Sequence, residues 1–283
     1  MSVAFVFPGQ GSQKKGMGEG LYERFHDLVR TADAELGYSL RELCLLDPQN
    51  VLGQTQYTQP ALYAVNALSY LARREDEGRA PDFVAGHSLG EYDALFAADV
   101  FDFHTGLKLV RKRGELMAAV RGGGMAAILG ITGERVGELL DNFAFDRVER
   151  ANFNSPTQTV ISGPTEDVVA VSMLFKEAGA VVIPLKVSGA FHSRMMEPVG
   201  RQFRLFLDGF TFREPKIPVI ANLSGRPYEP GAIKDTLAGQ ITQPVRWTDT
   251  VRYLSAQGNP AFVEVGPGTV LAGLIRQIQK APV

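Results

Sequence analysis

The chain has 283 residues, 45% of them hydrophobic and 21% charged, enough to bury a sizeable core in one large domain or a large and a small one. A formal charge of −2 argues against general nucleic-acid binding, which needs a basic face to neutralise phosphates. A single cysteine, Cys44, excludes an internal disulfide and a thiolate metal cluster, so no metal is expected and a reducing compartment fits.

Met1 to Phe7 carries no basic leader and its apolar run stops at Pro8, so it reads as a first strand, Val3 to Phe7, and not as a signal peptide. No run approaches the ~20 apolar residues of a spanning helix, and the expected location is the cytoplasm, away from membranes. The polar loop Pro8-Gly9-Gln10-Gly11-Ser12-Gln13 follows, and then Met17 to Ala34 shows helical spacing of apolar residues. A second helical stretch starts at Gln59, with Pro60 at a first-turn position, and runs to Leu71. After the loop Arg79 to Asp82, the short apolar run Phe83-Val84-Ala85 leads into Gly86-His87-Ser88-Leu89-Gly90 and a helix from Glu91 to Ala98. Strand, Gly-x-Ser-x-Gly and helix in that order make a nucleophile elbow. Glycines on either side of Ser88 let the backbone turn sharply, so the serine projects from the turn. The amide of Leu89 then sits at the positive end of the next helix, a natural oxyanion donor.

The apolar helix Thr105 to Val110 continues into Arg111-Lys112-Arg113, where one basic residue of three can turn inward while the others stay in water. Gly122-Gly123-Gly124 punctuates the chain. Beyond it come a strand (Met125 to Ile131), a helix (Thr132 to Phe143), two strands around a turn (Arg147 to Phe153, Gln158 to Ser162), a helix (Thr165 to Ala178) and a strand (Val181 to Val187). That order is the split pattern of a ferredoxin-like module. The remainder alternates helix and strand: Met195 to Leu207, Pro218 to Asn222, Gly231 to Ile241, Trp247 to Ala256, Ala261 to Val265, and a last helix opened by Gly266-Pro267-Gly268. The alternation predicts the α/β class, a parallel sheet covered on both faces. The expected division is a large body from residues 1–123 and 189–283 and an inserted small subdomain at 124–188, with a cleft between them.

An acyl-transferring serine needs a base, an oxyanion hole and a way to choose its acceptor. Of the four histidines, His87 sits inside the elbow, pointing away from the serine, and His26 and His104 read as surface. His192 remains, in Gly189-Ala190-Phe191-His192-Ser193, where the chain leaves the small module and meets the cleft. The acids between serine and histidine, Asp141, Asp146, Glu166 and Asp167, all fall on the small module and look solvated. A Ser–His dyad oriented by a backbone carbonyl is the expectation. For Arg113, a bidentate clasp on a substrate carboxylate suits guanidinium geometry.

Phe7-Pro8-Gly9-Gln10-Gly11-Ser12-Gln13, Thr58-Gln59-Pro60-Ala61, Gly86-His87-Ser88-Leu89-Gly90-Glu91, Lys112-Arg113-Gly114 and Ala190-Phe191-His192-Ser193 occur together in this order. That set resembles the malonyl-CoA:acyl-carrier-protein acyltransferases, including the discrete trans-acting acyltransferases of polyketide synthases. The resemblance covers essentially the whole chain, and Gly37 through Leu71 looks closer to the polyketide type. It implies an α/β-hydrolase-like large subdomain with a ferredoxin-like insert, malonyl-CoA as substrate with no permanently bound cofactor, and a phosphopantetheinylated acyl carrier protein as partner to a monomer. It also implies Ser88 as nucleophile, His192 as base, Gln10 with the Leu89 amide as oxyanion hole and Arg113 on the malonyl carboxylate. Gln59 matches a pocket glutamine, and Phe191 would crowd a branch at the α-carbon. Gln243 stands where the family has the asparagine whose backbone carbonyl serves the histidine. Asp93 stands where a small residue is usual and is expected to face outward; Asp99 replaces a usual glycine. The alternatives are a malonyl transferase of fatty acid synthesis, a serine thioester hydrolase or proofreading acyl hydrolase, and a non-catalytic interaction module.

Overall fold

A computed structural model describes residues 2–281. The chain opens with β1 (Val3–Phe7), α1 (Leu21–Arg24), α2 (His26–Leu36), α3 (Leu40–Leu45) and α4 (Thr55–Glu77). Next come β2 (Phe83–Gly86), α5 (Gly90–Ala97) and α6 (Phe103–Ala119). The middle holds β3 (Gly123–Leu129), α7 (Gly133–Asn142), β4 (Glu149–Ser155), β5 (Gln158–Pro164), α8 (Thr165–Glu177) and β6 (Val181–Pro184). The chain ends with α9 (Glu197–Leu207), β7 (Val219–Ile220), α10 (Ile233–Gln240), α11 (Trp247–Ala256), β8 (Ala261–Glu264) and α12 (Val270–Lys280).

Two sheets result. The first is parallel in the order β7-β2-β1-β8. Along β1, Phe5 and Phe7 enter the core with Leu62, Leu68 and Tyr70 of α4, whereas Ala4 and Val6 join Trp247, Leu271 and Ile275 on the other face. Strands with both faces covered must be apolar without alternation, which is what β1 and β2 are. Each fully buried Phe or Leu here contributes about 1.5–3 kcal/mol. The second sheet is antiparallel in the order β4-β5-β3-β6, the arrangement of a ferredoxin-like βαββαβ unit. One face packs Ile128 and Ile161 against Val136, Val168 and Phe175 of its own two helices. The other face turns Met125, Ala127 and Val160 into the large core.

Three local readings need correction. Instead of a helix from Met17, the chain turns until Gly20, because Gly16, Gly18 and Gly20 all take positive φ (85°, 78° and 81°), and helix begins at Leu21 and breaks at Phe25. α4 starts at Thr55, four residues before Gln59, so Pro60 lies inside it and not in its first turn. α3 is unforeseen: Ser39 caps it by accepting from the Glu42 amide at 3.2 Å, a Ser-x-x-Glu signature.

The elbow depends on close backbone contact. A Cβ on Gly86 would lie 1.9 Å from the Gly90 carbonyl carbon, and one on Gly90 would lie 2.1 Å from the Phe7 oxygen. Gly90→Ala is therefore expected to lower stability by about 1–3 kcal/mol in urea unfolding, since backbone and not a flexible side chain must give way.

Candidate active site

Parallel pairing in register, with Phe7 opposite Gly86, brings the loops after β1 and β2 side by side at the carboxyl edge of the sheet. Open α/β sheets present ligands there, where strand order reverses. Ser88 takes φ +52°, an uncommon conformation for a residue with a Cβ, held by its surroundings. Asn222, just past β7, does much of the holding. Its Oδ1 accepts from the Ser88 amide at 2.6 Å and its Nδ2 donates to the Gly86 carbonyl at 2.6 Å, clamping both sides of the turn.

His192, also in the left-handed region (φ +58°), places Nε2 2.8 Å from Ser88 Oγ. Its Nδ1 donates to the Gln240 carbonyl at 2.7 Å, which leaves Nε2 as the acceptor and makes the serine hydroxyl the donor. The nearest backbone acceptor is thus Gln240 and not Gln243, whose backbone is a lesser partner. The reason is local: Gln240 ends α10, where carbonyls lack intrahelical donors, and the turns that follow use Ala238 and Gly239. Asp141, Asp146 and Glu166 are exposed, and Asp167 pairs with Arg147 at 2.7 Å, so none of the four serves the imidazole. Burial first, and then the Arg113 charge, push the His192 pKa down to about 3.

Arg113, 1% exposed on α6, turns inward, whereas Arg111 faces out to Glu35 and Glu115. It donates from Nη1 to Gln59 Oε1 (2.8 Å) and from Nη2 to Gln240 Oε1 (3.0 Å) and Ser88 Oγ (3.2 Å), with its Cζ 5.6 Å from the centre of the Tyr92 ring. These acceptors are all neutral, and among the described residues no carboxylate forms an ion pair with it. Burial holds its pKa below the usual arginine value. Gln10 donates to Thr55 Oγ1 at 3.2 Å, and Leu89 directly precedes α5, where amides have no intrahelical acceptor. A cavity of about 260 Å³ gathers Gln10, Gln59, Ser88, Arg113, Phe191 and His192 with Met125 and Val160 of the small sheet and Leu185 just past β6. His87 lines it as well, bonding Asn154 Oδ1 at 2.8 Å, while His26 is exposed and His104 meets Glu35 at 3.0 Å.

Behind the serine lies a polar cluster that sequence reading does not single out. Gln240 Nε2 donates to the Ser88 carbonyl (2.8 Å) and to Glu91 Oε2, while Glu91 Oε1 accepts from Tyr228 (2.5 Å) and the Asn222 amide (3.2 Å). Burial raises the Glu91 pKa to about 7, against the lowering effect of those donors and of Arg113. The one sequence signal is Glu91 closing the elbow motif; Gln240 and Asn222 have none. Asp93 does not face outward. It is fully buried, with Oδ2 accepting from Asn66 Nδ2 at 2.9 Å, and the same nitrogen donates to the Pro8 carbonyl at 3.0 Å. Burial raises its pKa well above the ordinary aspartate value, and it does not line the cavity. Asp99 takes the glycine-like φ of +63° and pairs with Arg213 and Lys216 at the surface.

Chemically, the arrangement offers a hydroxyl hydrogen-bonded to a neutral imidazole, with a buried cation close enough to fix an anionic acyl group on that hydroxyl. Together with the parallel sheet and the inserted antiparallel one, it defines an α/β serine enzyme suited to acyl transfer. Residues 4–282 match the family described as the acyl transferase domain, and the chain belongs to that family. It is 56% identical over 281 residues to the polyketide biosynthesis protein ThaF of Burkholderia thailandensis, covering 98% of this chain but 24% of that longer protein. It is 53% identical over 280 residues to the polyketide biosynthesis malonyl CoA-acyl carrier protein transacylase PksC of Bacillus subtilis, covering 98% of this chain and 97% of PksC. Among solved structures it resembles PlMCAT, a malonyl-transacylase in complex with its type II PKS acyl-carrier protein AntF, with TM-score 0.93 and 39% identity over 98% of this chain and 93% of that one.

The depressed His192 pKa has a sign that can be checked. The unfolded chain takes up a proton below about pH 6.5, whereas folded His192 stays neutral until about pH 3. Its contribution to stability is complete above the unfolded value and is lost as pH falls toward 3. Imidazole ¹⁵N shifts are expected to report a neutral ring, protonated on Nδ1, at pH 5; a midpoint near 6.5 would refute this reading.

Proposed function

We propose that this protein moves a malonyl group from malonyl-CoA to the phosphopantetheine thiol of an acyl carrier protein, supplying polyketide assembly in trans. The observation that carries this reading is Arg113: a buried guanidinium beside Ser88 Oγ, its acceptors all neutral, calls for a ligand that brings a carboxylate. Malonyl carries one at the far end of its thioester. Resemblance to PksC at 53% identity favours the polyketide setting, and PlMCAT, solved with a carrier protein, favours a carrier as acceptor.

The steps follow from the hydrogen bonds. Ser88 Oγ attacks the thioester carbonyl as its proton passes to His192 Nε2, and the developing oxyanion is met by the Leu89 amide and by Gln10, about 3 kcal/mol for each donor. The carbon–sulfur bond breaks and the coenzyme A sulfur leaves with the proton from His192. The carrier thiol then yields its proton to His192 and attacks the seryl ester, and Ser88 recovers the proton as the new thioester forms. Arg113 and Gln59 hold the malonyl carboxylate through both halves. The insert, taken as residues 124–188, forms the second wall of the cavity, and Phe191 crowds a substituent at the α-carbon. The enzyme works as a cytoplasmic monomer, since each turnover needs one carrier at one cleft.

Arg113→Ala is expected to slow malonyl loading of Ser88 about a hundredfold, the loss of two charge-assisted hydrogen bonds, while acetyl loading persists or rises. Intact-mass measurement after mixing with malonyl-CoA or acetyl-CoA reads both. An unmodified Ser88 peptide in the wild-type protein would refute acyl transfer, and rapid release of free malonate without a carrier would point to a hydrolase. Phe191→Ser is expected to raise methylmalonyl loading relative to malonyl about tenfold, by relieving overpacking at the α-carbon.

A further inference from the structure

Resting on the malonyl-transfer reading, we propose that Glu91 is a positioning residue for acyl-group selection: by fixing which way the Gln240 side-chain amide faces, it keeps an acceptor on Arg113.

Donor and acceptor accounting forces the orientation. Gln240 Nε2 has two protons, one to the Ser88 carbonyl and one to Glu91 Oε2, so Oε1 must face Arg113 Nη2. Turning the amide over would aim its oxygen at the Ser88 carbonyl and its NH₂ at a guanidinium that can only donate. Glu91 cannot adjust to such a turn. Its other oxygen is committed to the Asn222 backbone amide and the Tyr228 hydroxyl, and a backbone N–H, unlike a hydroxyl, has no acceptor role to switch to. Only a group that accepts at both oxygens satisfies Asn222, Tyr228 and Gln240 together. The polarity set at Asn222 is therefore passed through Glu91 and Gln240 to Arg113. The groups facing Glu91 are Asn222 and Tyr228 from the β7–α10 connection, Gln240 from α10 and the Arg113 charge from α6. Glu91 is wholly buried, as are Gln240 and Arg113, so water is not at hand to replace a lost partner.

The isosteric Glu91→Gln tests the chain of contacts. Its amide oxygen stays on Asn222, its new NH₂ meets the Gln240 NH₂, and the Gln240 amide is displaced from its place between Ser88 and Arg113. The expected result is a fall of about tenfold in the malonyl-to-acetyl ratio of kcat/KM, the size of one hydrogen bond to a charged group, seen as a raised KM for malonyl-CoA with the acetyl kcat within threefold of wild type. Tyr228→Phe removes a donor to Glu91 without inverting anything, and its ratio is expected to equal wild type. Were Glu91 only a nearby negative charge, its neutralisation would strengthen Arg113 toward malonate and the ratio would rise, which overturns the proposal. An unchanged ratio, or equal losses on both substrates, overturns it too. Should Glu91→Gln fail to fold, Gln240→Leu removes the acceptor while keeping the backbone carbonyl that serves His192; the ratio must fall there as well, and a retained ratio refutes the idea. A wild-type enzyme without malonyl preference overturns the underlying reading and not merely this one.

Discussion

A guanidinium held inside the protein among neutral partners is the constraint on which the rest of the site depends. Removing Arg113 from water costs several kcal/mol, and among the described residues no carboxylate forms an ion pair with it, Glu91 acting only from a distance. The fold meets that cost with three kinds of contact: amide oxygens from Gln59 and Gln240, the hydroxyl of Ser88, and the face of Tyr92. None cancels the charge. A site so arranged is short of a negative group, and the shortage sits beside the serine Oγ. The same charge acts on its neighbours, helping to keep His192 neutral and so able to accept a proton. Cation and base are therefore coupled. An anionic acyl group bound to Arg113 would relieve the imidazole of some of that repulsion when its proton arrives.

The parallel sheet makes this convergence inexpensive in sequence terms. Because β1 and β2 pair in register, the residues just beyond each strand meet without long loops, and β7 adds Asn222 from the next position in the sheet. Arg113 and Gln59 come from α6 and α4, which pack on each other along one side of that edge. His192 and Gln240 come from the segment after the small sheet and from the end of α10. Seven separate stretches of chain thus contribute to one site, and the strained φ of Ser88 and of His192 survives because Asn222, Gln240 and Glu91 over-determine it.

What can be read from the sequence follows from how local each signal is. Ser88 is legible because glycine–serine–glycine after an apolar run has a backbone meaning within a few residues, and the split βαββαβ order is legible because period and turn chemistry are local as well. Gln240 is illegible: nothing about a glutamine near a helix end reveals that its carbonyl and both ends of its amide each find a partner in the site. The same locality explains the shift from Gln243 to Gln240, since the free carbonyl is decided by where α10 stops. Asp93 misleads for a different reason. A carboxylate in a helix suggests a solvated face, but Asp93 lies buried on Asn66, whose amide nitrogen also donates to the Pro8 carbonyl two residues before Gln10. The broken helix after Met17 is a failure of period against glycine: the apolar spacing continues through a stretch whose positive φ values forbid it.

Taken together, the buried polar groups divide into two sets with opposite response to acid. His192 has a folded pKa below its unfolded value, and its contribution weakens as pH falls. Glu91 and Asp93 have folded values above theirs, so their neutral forms are favoured in the folded state and their contribution weakens as pH rises. For Glu91 that window runs from about 4.5 to about 7. The guanidinium, without an ion-pair partner, thus lies near a carboxyl group, Glu91, whose charge burial restrains. The restraint matters because it weakens the pull of Glu91 on Arg113, so the guanidinium stays without a full counter-charge beside Ser88.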